Sequence, residues 1–256
     1  SFTMNGVTDL SQRYDLDDHT TLIDQHAGGC MPVKIIKPRT AGPHPVVILL
    51  MGMRGVDLAL CSMGRLIAEE GYAVAIPDLY HDSGGKTSAL PADFDEALEA
   101  MHGLREQRAM DDIGATLEFI ASRSDMNTSR ISLFGHCLGG RLSLVAASYF
   151  PNQFRCIASY YASGLETCLS GFGSIDIPTQ IVSAGKSLFA CEQTLGQVES
   201  NLRQHNQFVE RLSYAEASHN FLDAGCQNYD PLLAADALYR TFDFIAANTV
   251  NETVAA

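Results

Sequence analysis

The chain has 256 residues, 46% hydrophobic and 18% charged. That is the balance of a globular protein with a sizeable core, and it excludes a disordered or fibrous chain. A formal net charge of −13 repels phosphate backbones and anionic membrane faces, so nucleic acid and membrane are excluded as partners and a small-molecule substrate is expected.

Along the chain, residues 1–15 form an N-terminal segment free to be flexible, with no basic region leading into an apolar core. The start at Ser1 leaves open an upstream segment. No apolar run is long enough to cross a membrane, and the expectation is one domain over 1–256, cytoplasmic, as a monomer or homodimer. Residues 46–50 follow Pro43 and Pro45 and read as a buried strand, 57–71 as a helix ended by glycine, and 72–76 as the next strand, closed by Pro77-Asp78. Ser83-Gly84-Gly85 reads as a mobile loop, and Gly84-Gly85-Lys86-Thr87 lacks the glycine spacing of a phosphate loop. A helix is predicted over 111–122, with Asp111-Asp112 as charge at its N-terminus. Strands at 130–134, 156–161, 179–183 and 208–214, with helices at 138–150 and from Pro231 to about 248, complete the pattern. Strand–helix alternation with near-continuous apolar strands predicts an α/β fold with a mostly parallel central sheet and helices on both faces.

The seven cysteines are odd in number and widely scattered. They suggest neither a disulfide framework nor a zinc site, and most read as small buried hydrophobes in a reducing compartment. Cys137 is the exception. Gly135-His136-Cys137-Leu138-Gly139-Gly140 lies between a strand and a helix, in the pattern of a nucleophile elbow with Cys in place of Ser. The glycines permit a sharp turn against neighbouring backbone. The helix N-terminus behind the sulfur favours a thiolate, and the Leu138 amide supplies half of an oxyanion hole. His136 is expected to point into the scaffold. Of eight histidines, His219 sits where the base belongs, late in the chain in Ala217-Ser218-His219-Asn220-Phe221, between the last strand and the last helix.

Together these segments resemble the dienelactone hydrolase family of α/β-hydrolases. The elbow is similar to that family's G-Y-C-L-G-G turn, residues 160–166 to its Y-Y-G-V-G-L-E, Pro77-Asp78-Leu79-Tyr80 to its P-D-L-Y, and His219-Asn220-Phe221 to its H-S-F or H-G-F. The resemblance runs from about Val33 to the final helix. It implies an α/β-hydrolase fold, cysteine-dependent hydrolysis of cyclic enol esters without metal or organic cofactor, and a second oxyanion donor at the Met53 amide.

The chain also departs from that family. The position of its triad acid holds Ser187, and the position of the carboxylate that gates its nucleophile holds Gly52. The two places of its substrate-binding arginines hold Asp82 and Asp223. Three readings stay open: an active thiol hydrolase of a small ester, lactone or thioester with changed charge preference, a non-hydrolytic cyclase or isomerase, and a non-catalytic small-molecule binder. In the first, Cys137 and His219 act with Ser187 orienting the imidazole, while Glu192, Asp82 or Asp223 could supply the charge. Asp82 and His81 are placed on a loop bordering the pocket, Arg54 in the oxyanion loop against either a substrate anion or a surface acid, and Glu166 in a structural role.

Overall fold

The computed structural model describes residues 15–25, 28–82, 90–91 and 93–249. The expected flexible start and the Ser83-Gly84-Gly85 loop fall almost wholly outside them. Eight strands form one sheet in the order β1-β2-β4-β3-β5-β6-β7-β8. β1 (Leu16–Asp24) and β2 (Cys30–Pro38) are antiparallel additions at one edge; from β4 (Ala73–Pro77) through β3 (His44–Leu50), β5 (Met126–His136), β6 (Cys156–Tyr160) and β7 (Thr179–Ala184) to β8 (Val209–Tyr214) all pairings are parallel.

Central strands have no solvent face. Val46 to Leu50 and Ala73 to Ile76 are fully buried, which requires cover on both sides of the sheet. That cover comes from α1 (Leu58–Ala68), α3 (Glu106–Ala121), α4 (Leu138–Tyr149), α5 (Glu192–Arg203) and α6 (Pro231–Thr249), while α2 (Phe94–Gly103) lies further out with Ala97 as its one buried residue. Edge strand β1 carries Asp17, Asp18 and Asp24 among mostly half-exposed residues, a charged rim that discourages pairing with another sheet.

Two expectations need correction. The helix predicted over 111–122 begins at Glu106, so Asp112 is not an N-terminal charge. It is wholly buried in mid-helix, where His81 Nε2 lies 3.0 Å from its carboxylate, Gln25 Nε2 donates to it and Arg108 Nε approaches to 3.8 Å. The cysteines are also not mostly buried. Only Cys137 and Cys156 are; Cys61, Cys168 and Cys226 are half-buried and Cys30 and Cys191 exposed, all seven as free thiols.

Candidate active site

The turn from β5 into α4 carries Cys137 at φ 57° and ψ −118°, a left-handed-side conformation that a non-glycine residue holds only under constraint. The constraints are visible. The Cys137 amide donates to Tyr160 O at 2.9 Å, and its carbonyl accepts from Arg141 N and Ser163 N. The flanking glycines are forced by contact. A Cβ on Gly135 would lie 2.3 Å from Gly139 O, and one on Gly139 would lie 2.2 Å from Leu50 O.

Cys137 is buried, and His219 Nε2 lies 3.1 Å from its Sγ. The amides of Leu138 and Met53 lie by the sulfur and favour its anion, and Ser163 Oγ stands 3.6 Å away. The loop is held one peptide further on, where Tyr80 Oη donates to the Met53 carbonyl at 2.8 Å. Ser163 and Tyr80 carry no catalytic signature of their own in the sequence; both lie inside segments whose resemblance is familial, and only the fold brings them to the Cys137 turn.

His219 is clasped between two rings, Tyr161 at 4.8 Å and Phe189 at 5.1 Å between centroids. Its Nδ1 is 2.8 Å from Ser187 Oγ. The turn that holds Ser187 is tied to the His219 loop by Lys186 N donating to Ala217 O, and to β8 by Gly185 N donating to Tyr214 O. None of the three carboxylates left open by the sequence is bonded to this imidazole. Glu192 pairs with Arg211, Asp82 with Arg108 at 3.3 Å, and Asp223 accepts from Gly225 N at 2.8 Å.

Burial governs the protonation of the pair. It lowers His219 to about 4, with the nearby His136 adding to the shift. It also raises the Cys137 thiol, against the opposing pull of Ser163, the two amides and Arg141. Taken one at a time, burial favours the neutral form of each group. Desolvation thus opposes the thiolate expected from the helix N-terminus.

A cavity of about 350 Å³ opens beside His219, lined in part by Met53, Arg54, Phe94, Phe189, Asn220 and Asn228. The substrate-binding positions expected from sequence divide. Arg54 lines this cavity, but its guanidinium donates to Gly225 O at 2.6 Å and lies 3.7 Å from Asp57. Asp223 lines a separate space of about 10 Å³ behind the oxyanion loop, with Asp57 and His136. Asp82 and His81 line neither. Asp82 is 61% exposed on Arg108, and His81 is buried against Asp112. Both are drawn away from the pocket by charge partners on α3 that the local sequence around them does not reveal. His136 is buried as expected, against Gly52, where an added Cβ would lie 2.9 Å from the imidazole. Glu166 meets Thr194 of α5. Among the described residues no group of His, Cys, Asp and Glu is arranged to hold a metal, and no helix is long and apolar enough to cross a membrane.

A strained strand-to-helix turn bearing a cysteine at the carboxyl end of a parallel sheet, with a histidine from the loop after the last strand, has the form of the α/β-hydrolase fold. A sequence profile of the dienelactone hydrolase family matches residues 31–249, and the chain belongs to that family. A carboxymethylenebutenolidase from Pseudomonas putida is 26% identical over 208 residues, covering 80% of this chain and 86% of that one. Another, from a Pseudomonas species, is 26% identical over 227 residues, covering 87% and 92%. A crystal structure from Klebsiella pneumoniae, provisionally assigned as a dienelactone hydrolase, superposes with a TM-score of 0.81 at 23% identity, covering 91% of this chain and 99% of its own. This chain is a hydrolase of the dienelactone hydrolase type.

Proposed function

We propose that the protein hydrolyses a small ester, lactone or thioester through a covalent Cys137 acyl intermediate. The observation that carries this reading is the 3.1 Å contact of His219 Nε2 with Cys137 Sγ, made where the Leu138 and Met53 amides converge. In acylation the sulfur attacks the carbonyl carbon as its proton passes to His219 Nε2. The carbonyl oxygen takes negative charge and is met by the two amides. His219 then gives the proton to the departing alkoxide or thiolate, leaving a thioester. Water attacks that thioester, His219 takes the proton from water, and the proton returns to sulfur as the acid leaves. With a lactone the alcohol and acid remain one molecule.

A neutral imidazole near pH 7 is the correct form for a general base, and His219 shifted to about 4 is in that form. Ser187 orients the ring without supplying charge. The test is turnover of p-nitrophenyl acetate by the wild-type protein, Cys137→Ala and His219→Ala, with mass spectrometry of a quenched reaction. A +42 Da adduct on the peptide bearing Cys137, and loss of turnover in both variants by at least 10²-fold, are expected. Full activity in Cys137→Ala would overturn the reading.

A further inference from the structure

Two phenylalanines stand over the cavity beside His219 with much of their surface in solvent. Phe94 opens α2 and is 50% exposed; Phe189, from the loop after β7, is 42% exposed. They are 95 positions apart in sequence, yet their ring centroids are 6.1 Å apart at an interplanar angle of 49°. Neither ring's position is incidental. The Phe189 amide donates to Ser187 Oγ at 3.2 Å, in the same turn that meets His219. Phe94 follows Asp93, whose carboxylate caps α2 by accepting from Glu96 N at 2.9 Å. Both rings line one cavity with Met53, Pro91 and Ala97, so an apolar wall runs from the oxyanion loop to the mouth. Exposed aromatic surface that continues into a site beside a base is surface kept for a ligand.

The remaining lining sets the charge of that ligand. Arg54 is the one cation among the described lining residues; its Nη1 donates to Gly225 O and meets Cys226 Sγ, and its Nε lies 3.7 Å from Asp57. Asp93 is the one carboxylate among them and caps α2, while Asn220, Gln227 and Asn228 supply neutral hydrogen-bonding groups. We propose that Phe94 and Phe189 form the binding site for an aryl or similarly flat apolar group of an uncharged ester or lactone, whose carbonyl lies at Cys137. This deepens, and for its catalytic consequence rests on, the hydrolase reading above. An aromatic group meeting two rings gains edge and stacking contacts beyond its buried area.

The experiment compares benzyl acetate and ethyl phenylacetate with ethyl acetate, following acid release in a pH-stat. In the wild type the better aryl ester has a kcat/KM about tenfold or more above ethyl acetate. In Phe94→Ala and in Phe189→Leu that aryl-to-alkyl ratio falls severalfold, mainly through KM. Aryl esters turned over no better than ethyl acetate, or ratios unchanged in both variants, overturn the proposal. Binding of phenylacetamide to Cys137→Ala, measured by ligand-observed NMR, separates the two readings. Binding that is lost in Cys137→Ala/Phe94→Ala supports the aryl site even where no ester is hydrolysed. Absence of binding to Cys137→Ala counts against the site whatever the turnover.

Discussion

Ser187 is a donor as well as an acceptor, and in this it differs from the carboxylate usual beside a catalytic histidine. Its oxygen accepts from the amides of Phe189 and Ala190, at 3.2 and 3.0 Å, and shares those lone pairs with the Nδ1–H of His219, the tautomer that leaves Nε2 free to take the thiol proton. A hydroxyl so engaged holds the ring in place but offers no charge to an imidazolium. Ser187→Asp would supply that charge and raise the His219 pKa from its value of about 4. Since the base must be neutral to act, the acid limb of kcat/KM should move to higher pH, by about one unit or more. The wild-type limb is expected near 4, so the wild type should stay active at pH 5 where the variant has begun to lose activity. A superimposable pH–rate profile for a folded Ser187→Asp would show that Ser187 does not govern the base. Thiol reactivity follows the same physics. Cys191 is exposed, and its pKa is lowered by hydrogen bonds from Thr194 at the start of α5, whereas Cys137 is buried with its pKa raised. At neutral pH, iodoacetamide should therefore reach Cys191 before Cys137. Activity loss should follow the slower modification, as peptide mapping against residual turnover will show; loss in step with Cys191 alone would contradict the assignment of the nucleophile.

At the level of elements, the carboxylate inside α3 is the most exacting feature outside the site. Asp112 ties α3 to the loop after β4 through His81 and to the end of β1 through Gln25. Asp112→Ala would leave these groups and Arg108 without their buried acceptor, a loss of about 3 kcal/mol or more. In a chain of this size that lowers Tm by roughly 6 °C or more, to be measured by calorimetry with Asp112→Asn as the milder comparison. A variant within 1–2 °C of wild type would mean the cluster is hydrated and loose. What the sequence discloses about such elements depends on how local the determining forces are. The central strands are runs of buried aliphatics, and the elbow's glycines answer contacts close to the turn, so both were legible. β1 and β2 were not read, because an edge strand such as Leu16–Asp24 mixes Leu and Ile with Asp, His and Thr and is held by pairing, not by its own pattern. α2 was missed for a related reason, having Ala97 as its one buried residue. Asp82 and His81 were misplaced because their partners, Arg108 and Asp112, lie on another element.

Over the whole molecule, 30 acidic residues face 17 basic ones, and many of the cations are already paired. Lys34 and Arg65 share Asp18, Lys37 meets Asp125, and Arg211 meets Glu192 and Glu199. The outward field is negative, and the one cation among the described residues lining the cavity donates across to Gly225 O in the loop after β8. An anionic ester therefore meets repulsion on approach, and on arrival only a guanidinium that already faces Asp57. For the isosteric pair of 4-carboxybenzyl acetate and its carboxamide, the amide should have the higher kcat/KM at low salt. The gap should narrow as the Debye length contracts from about 30 Å at 0.01 M to about 10 Å at 0.1 M, while turnover of the amide hardly changes. Asp82 and Asp223 do not line the cavity beside His219, so their local contact with substrate is not the cause. Asp82→Asn/Asp223→Asn changes a net charge of −13 by only two and should leave most of the discrimination in place. Discrimination abolished by that double variant would locate it at those two carboxylates instead of in the overall field. A preference for the carboxylate ester at low ionic strength would mean that Arg54 releases Gly225 and turns to the substrate.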